Sequence, residues 1–380
     1  MEKNNFKLKN KKICIVATSG ISLLNFRGEL IKSWIKKGNE VLCISIESPE
    51  EISKIIDQIG AKYYQVAGDR TSIGILSGLK MIKEYKKIFK KYKPDICYLY
   101  MSKPVAFGGI AAIQTKVPHI NVLVNGLENA YYRRGLKDFI VRCVMSCLYF
   151  NVARKADNVF FQNTDDMMYF KKHHLLSKEN ANIINGSGVD MQYFYKAKLP
   201  EKPAALMVAR LLWSKGIREY LQAIKIVKEK YPEFRFILIG GLDKNDEALT
   251  KEELEDVIKE TNLEYYGYAE DVRPYIEEAS IFVLPSYHEG LSRSILEAMA
   301  MGRVVITTDA PGCKDTILDK ENGFIVPVKN SKLIAEKIIY LIENPKEIER
   351  MSENSYSICL EKFEVNKVNN EIIKYMEEKL

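Results

Sequence analysis

The 380-residue sequence predicts an α/β protein of two doubly wound, Rossmann-like domains, and three observations carry that expectation. Short apolar or β-branched runs alternate with helical patterns along nearly the whole chain. The length exceeds what one hydrophobic core usually holds and suits two domains of about 150–200 residues. Between Tyr195 and Ala204 the alternation lapses in KAKLPEKPA, whose lysines and two prolines mark a boundary. The expected domains are therefore 1–198 and 199–363, with a terminal helix over 364–380. A single open sheet would need more strands than such sheets usually carry.

In the first half, KKICIVATSG reads as a buried strand ending in Gly20, and NFRGELIKSWIKKG as the helix after it, capped at Gly38. NEVLCISIES and AKYYQVAG are two further strands. A lysine-rich helix over Leu76–Lys91, the strand PDICYLY, a Gly/Ala-rich helix over Ala106–Gln114 and the strand PHINVLVNG follow. A helix over Lys137–Ala153, the strand DNVFFQN, a helix over Asp165–His174 and the short strand ANIINGSGVD complete this half. The second half repeats the scheme with AALMVAR, a helix after Lys215, FRFILIGG, a helix over Glu252–Glu260, LEYYGY, a helix over Val272–Glu278, and IFVLPSY. A helix that opens near Ser292 or Ser294 and stops at Gly302 then leads into RVVITT and GFIVPV, and past Val328 the pattern is helical only. Such alternation implies mostly parallel sheets covered on both faces, with ligands at the carboxyl ends of the strands.

Composition bounds the function classes. Nearly half the residues are apolar and the net charge is +7. That sign fits nucleic acid, an anionic membrane surface or anionic substrates, and a lysine-favouring genome as well, so it decides nothing alone. No helix-turn-helix or zinc pattern supports DNA binding. The start, MEKNNFKLKNKK, lacks an apolar signal core, and the most apolar stretch, Phe139–Ala153, is broken by Arg142 and Asn151, so a cytoplasmic protein without a membrane span is expected. Seven scattered cysteines, with Cys143 and Cys147 four apart on one helix face, read as reduced core thiols. His173 and His174 are adjacent, without the spacing of a helical zinc site.

The chemistry gathers in IFVLPSYHEGLSRSILEAMAMGRVVITT, Ile281–Thr308. Glu289 stands just ahead of a helix start and Glu297 one to two turns inside it, so both carboxylates can face the space above the strand ends. Backbone N–H groups of Gly290, Leu291 and Ser292 lie where a helix start favours anionic oxygens such as those of a diphosphate. A salt bridge from Glu289 to Arg293, four residues on, is the bland alternative, contributing roughly 0.3–0.5 kcal/mol when exposed.

With SY-x-EG before the helix and EAMAMG within it, this stretch resembles the E-x7-E signature of the GT-B family 4 of retaining nucleotide-sugar glycosyltransferases. The resemblance extends to the branch acting on polyprenyl-diphosphate-linked sugars in capsule, O-antigen and N-glycan assembly. It implies a GT-B fold with a nucleotide-sugar domain second, an acceptor domain first and a last helix that crosses back to the first domain. It also implies a retaining hexosyltransferase moving a hexose or N-acetylhexosamine from a UDP-sugar to a polyprenyl-diphosphate-linked saccharide. Charge on the departing diphosphate must be neutralised by a held metal or by protein cations. No D-x-D triplet occurs, so neither metal nor cofactor is expected, and Arg210 and Lys215 in VARLLWSKG match the family's diphosphate-binding pair. The resemblance gives Glu289 the hydroxyls of the transferred sugar and Glu297 those of the donor ribose. The base is expected near Gly240, Gly241 and Tyr268, with Tyr268 either stacked on it or in the core.

On the acceptor side, Ser19-Gly20 leading to Asn25-Phe26-Arg27 resembles the glycine-bearing loop of that branch. Gly20 would bring N–H groups to the diphosphate and Arg27 would hold an acceptor phosphate, or Arg27 is a solvent-facing helix residue. His119 begins its strand, the wrong end for a ligand; Asn125, followed by Gly126 and Glu128, stands at the right end where other members carry a histidine, and His288 adjoins Glu289. Tyr131–Lys155, with Arg133, Arg134, Lys137 and Arg142 beside Tyr131, Tyr132 and Phe139, reads either as an interfacial helix on the anionic inner membrane face or as a sheet-covering helix. Two rivals stand beside this reading: a nucleotide-sugar epimerase of the same architecture, and a non-catalytic two-lobed binding protein.

Overall fold

The computed structural model describes residues 7–67, 75–127, 131, 135–177, 179–243 and 248–380. Its chain divides into two compact units, Met1–Ser187 with Asn366–Leu380, and Gly188–Val365. Glu128, Tyr132, Arg133 and Arg134 lie outside the described residues, as does the side chain of Lys137.

In the first unit, β1 (Lys12–Val16), α1 (Gly20–Lys36), β2 (Glu40–Ser45), α2 (Pro49–Gln58), β3 (Lys62–Gln65), α3 (Ile75–Tyr92) and β4 (Ile96–Tyr100) come first. A π turn over Pro104–Gly108 then runs into α4 (Gly109–Gln114), followed by β5 (His119–Val124), α5 (Leu136–Ala153), β6 (Asn158–Phe161), α6 (Thr164–Lys172) and β7 (Ala181–Ile183). The sheet is parallel, in the order β3-β2-β1-β4-β5-β6-β7. Strand residues alternate between two apolar layers: Cys14, Val16, Cys97, Leu99, Val122 and Val159 pack on one face, and Ile13, Ile15, Ile96, Tyr98, Leu123 and Phe160 on the other. Burial on both faces is why these strands are continuous apolar runs.

The second unit holds β8 (Ala204–Val208), α7 (Ile217–Lys230), β9 (Arg235–Ile239), α8 (Lys251–Thr261), β10 (Glu264–Tyr265), α9 (Arg273–Glu277) and β11 (Ile281–Leu284). It continues with α10 (Arg293–Ala300), β12 (Val304–Thr308), β13 (Gly323–Val326), α11 (Ser331–Glu343) and α12 (Pro345–Lys362). Its parallel sheet runs β10-β9-β8-β11-β12-β13, so the winding reverses between β8 and β11. Doubly wound sheets bind ligands at such a reversal, at the carboxyl ends of the strands.

The unit boundary falls at Ser187/Gly188, earlier than the expected 198/199. Val189 and Phe194 are buried in the second unit's core, Ala197 N–H donates to the Met301 carbonyl (3.3 Å), and Arg303 Nη2 donates to the Lys198 carbonyl (3.1 Å). The lysine- and proline-rich run is therefore wall, not linker. The last helix, α13 (Val365–Glu378), places Val368, Ile372, Ile373 and Met376 in the first unit's core beside Leu23, Ile31 and Trp34 of α1. Asn158 Nδ2 donates to the Tyr375 carbonyl there (3.2 Å).

Two other expectations change. Cys143 and Cys147 are exposed on α5, whereas the other five cysteines are buried. The helix after β1 opens at Gly20, capped by Ser19, earlier than the expected Asn25, so the glycine belongs to α1 and not to a loop ahead of it.

Candidate active site

Beyond the carboxyl ends of β8 and β11 Lys215 Nζ meets Glu289 Oε1 at 2.6 Å, both side chains half-buried. Backbone contacts fix that meeting. Lys215 ends a 3-10 turn over Trp213–Lys215, and Gly216 follows with φ 73°, where an added Cβ would run into the Pro285 carbonyl. Only glycine lets the two loops approach so closely. Tyr287 N–H donates to the Ser214 carbonyl (2.9 Å), Glu289 N–H to the Pro311 carbonyl (2.9 Å), and Ser292 N–H to the Gly312 carbonyl (3.1 Å). Thr308 Oγ1 holds the Ser286 carbonyl from below at 2.5 Å. Cys313 lies in the floor, its thiol pushed up to about 12 by burial and then by the Glu289 charge, so it stays protonated and inert.

These bonds correct one expectation. Ser292 N–H is committed to Gly312 and is not offered to an anion, although it stands beside Gly290 and Leu291 as the spacing predicted. Arg293 Nε donates to Glu297 Oε1 at 2.8 Å. α10 opens at Arg293, so the i,i+4 partner on its face is Glu297, whereas Glu289 precedes the helix. Burial raises the Glu297 carboxyl above the usual range, and Arg293 offsets only part of that.

Arg210, just past β8, is 69% exposed with Nη1 at 3.6 Å from Asp243 Oδ2. At the carboxyl ends of β9 and β10, Gly240 N–H donates to the Gly267 carbonyl (2.8 Å) and Tyr265 Oη to the Gly240 carbonyl (2.9 Å). An added Cβ at Gly240 would strike the Ala209 carbonyl, while Gly241 lies beside Tyr268. Tyr268 is 78% exposed, which removes the core alternative and leaves its ring free for a planar ligand.

In the first unit the winding reverses between β1 and β4. The amide of Gly20 is not open to an external diphosphate: it donates to Glu47 Oε2 (2.8 Å), which Ser45 Oγ also reaches (2.7 Å). Those bonds outweigh desolvation and hold the Glu47 carboxyl below its ordinary range. Arg27 is not solvent-facing; it is 1% exposed, and none of its three guanidinium nitrogens has a hydrogen-bond partner among the described residues. Its guanidinium stands 5.7 Å from the ring centroid of Tyr100, whose hydroxyl meets Ser22 Oγ at 2.9 Å. Asn25 is exposed two residues away, on another side of α1, so the two cannot grip one phosphate together. Asn125 follows β5, and its Oδ1 accepts from the Met101 N–H (3.1 Å). His119 Nδ1 lies 3.8 Å from Asp157 Oδ1 at the opposite, amino end.

Residues 192–358 match the family described as glycosyl transferases group 1, and residues 12–163 match glycosyl transferase 4-like. Between them the two matches span most of the chain. The chain is a glycosyltransferase. It is 29% identical over 350 residues to the N,N'-diacetylbacillosaminyl-diphospho-undecaprenol alpha-1,3-N-acetylgalactosaminyltransferase of Campylobacter jejuni, covering 88% of this chain and 90% of that one. It is 27% identical to the capsular polysaccharide biosynthesis glycosyltransferase CapM of Staphylococcus aureus, over 94% of each. Among solved structures, Anabaena HepE in complex with UDP superposes with a TM-score of 0.79 at 16% identity, covering 97% of this chain and 100% of that one. The fold is GT-B, as the sequence predicted.

In this glycosyltransferase the Lys215–Glu289 and Arg293–Glu297 pairs fall inside the group 1 match and the α1 residues inside the 4-like match. Glu47 and Glu219 were missed by motif reading, since nothing local distinguishes them from ordinary surface or core residues, and Tyr287 entered only as part of SY-x-EG, with no role given to it.

Proposed function

We propose that this glycosyltransferase moves a hexose or N-acetylhexosamine, with retention, from a UDP-sugar to a polyprenyl-diphosphate-linked saccharide. The observation that carries the reading is the Lys215–Glu289 pair at the β8/β11 reversal: a cation and a sugar-hydroxyl acceptor locked side by side where a ligand belongs. The substrate class follows the relatives, one of which is named for an undecaprenyl-diphosphate-linked acceptor. Lys215 and Arg210 neutralise the departing diphosphate without a metal ion or other cofactor, Glu289 accepts hydrogen bonds from the sugar, Glu297 from the ribose, and Tyr268 stacks on the uracil. The bond from the anomeric carbon to the diphosphate oxygen breaks while the acceptor oxygen bonds to the same face, and the acceptor proton passes to the departing oxygen.

Arg27 is the acceptor-side cation in this reading. A buried guanidinium with no hydrogen-bond partner among the described residues is costly, and an acceptor phosphate bound to it would relieve that cost. Asn125 offers its amide at the β5 end. No helix among the described residues is long and apolar enough to cross a membrane. The protein instead reaches its lipid-linked acceptor by lying on the anionic inner face through α5, whose Leu136, Phe139, Ile140, Val144 and Phe150 are exposed.

The test is a panel of radiolabelled UDP-sugars with and without polyprenyl-diphosphate-linked glycans, with chelator present, followed by the anomeric configuration of the product. Label is expected in the lipid fraction with retained configuration, and Glu289→Ala is expected to lower transfer by about 100-fold or more. Donor turnover that ignores the acceptor would favour an epimerase, and loss of transfer on chelation would overturn the metal-free arrangement.

A further inference from the structure

The first turn of α7 grips both loops that carry the Lys215–Glu289 pair, through two consecutive residues. Arg218 stacks on Trp213, 4.5 Å from the ring centroid, holding the turn that ends at Lys215. Glu219 is buried, at 5% exposure, and its Oε1 accepts from Tyr287 Oη at 2.8 Å. Tyr287 stands two residues before Glu289, and its own N–H donates to the carbonyl of Ser214, next to Lys215.

A buried carboxylate is an expensive way to anchor a loop. Glu219 Oε2 has no hydrogen-bond partner among the described residues, and an unsatisfied buried oxygen costs about 1–3 kcal/mol. An apolar side chain would pack that spot more cheaply. What the carboxylate supplies is direction, because a phenol donating to a fixed anion is held along one line. The α7 N-terminus keeps the charge tolerable there. Burial, followed by the Glu219 charge, pushes the Tyr287 phenol upward, so it remains the donor at every working pH.

We propose that Glu219 is a positioning residue for sugar transfer, acting through Tyr287 to set the Glu289 carboxylate against the Lys215 ammonium. Neither residue touches substrate. The inference rests on the role proposed above for the Lys215–Glu289 pair. A misplacement of about 1 Å in such a pair is enough to cost on the order of 100-fold in turnover.

Four variants test it. Glu219→Leu and Tyr287→Phe are each expected to lower kcat by about tenfold or more with donor KM nearly unchanged, while Glu219→Gln, which keeps an acceptor oxygen for the phenol, recovers most of the rate. The Glu219→Leu/Tyr287→Phe double variant should lose no more than either single one, since both break one link. Additive losses, or wild-type kcat in either single variant, would overturn the proposal. Crystal structures of wild type and Glu219→Leu give a readout that needs no substrate: the Lys215 Nζ to Glu289 Oε1 separation should lengthen. An unchanged separation overturns the positioning role, whereas a lengthened one in a protein that transfers no sugar would indict the proposed reaction and leave the positioning role standing.

Discussion

Glu297 and Gly216 show how single residues shape the candidate site of the second unit. Burial raises the Glu297 carboxyl, so its folded pKa exceeds the unfolded value. Any stability it contributes is complete below the unfolded value and is lost as pH rises through the folded one. Glu297→Gln is therefore expected to gain in melting temperature relative to wild type as pH rises from 4 to 8, checked by parallel thermal scans. The same ionisation controls donor binding in the proposed role, because only the carboxylate accepts freely from both ribose hydroxyls. UDP affinity by calorimetry should fall with acidification at a midpoint above the ordinary glutamate value of about 4.3, and Glu297→Gln should flatten that profile. Gly216 acts by shape. At φ 73°, with the Pro285 carbonyl where a Cβ would go, Gly216→Ala is expected to cost more than about 2 kcal/mol in urea denaturation and to displace Lys215. A variant as stable and active as wild type would mean that the two loops are not locked there.

Elements were legible where burial is uniform. IFVL, VVITT and ICYLY are buried end to end in parallel sheets, so continuous apolar runs announced them as strands. The helix α2, Pro49–Gln58, was passed over between NEVLCISIES and AKYYQVAG, although Ile52, Ile55, Ile56 and Ile59 recur at helical spacing. Caps and N–H groups were less legible still, for their partners are distant in sequence: Glu47 finds Gly20 across 27 residues and Lys215 finds Glu289 across 74. A motif names the residue that works, and only the fold shows which of its neighbours is already engaged. The helix α5 was ambiguous in sequence, and its structure shows apolar residues on the exposed side, with Arg142 over Phe139 (5.6 Å) and Arg154 over Phe150 (4.9 Å). Arginine beside exposed aromatics suits an interface that is both anionic and apolar. The double variant Phe139→Glu/Ile140→Glu is expected to lower cosedimentation with anionic vesicles by about tenfold or more, with unchanged binding of UDP. Equal cosedimentation would remove α5 from the membrane reading.

At the scale of the whole chain, the two units differ in how they are stitched. Gly188–Val365 is one continuous segment whose core is its own, and it contains Arg210, Lys215, Tyr268, Glu289 and Glu297. Its entry and exit lie together, with Val189 N–H donating to the Phe363 carbonyl (2.8 Å) and Val365 N–H to the Val189 carbonyl (3.0 Å). The first unit instead depends on residues 366–380, which return to it after the whole second unit has been made. Four buried apolar residues of α13 lie in the first unit's core, and loss of one isoleucine from such a site costs about 2–5 kcal/mol. Domains of this kind are stable by only about 5–15 kcal/mol, so removing all four contacts should exhaust the first unit's margin. Deleting residues 366–380 is therefore expected to abolish transfer and expose Met1–Ser187 to limited proteolysis, while the second unit stays resistant and keeps its UDP affinity within about twofold. If UDP binding disappears along with transfer, the donor residues depend on the first unit after all, and the assignment of the whole donor site to Gly188–Val365 fails.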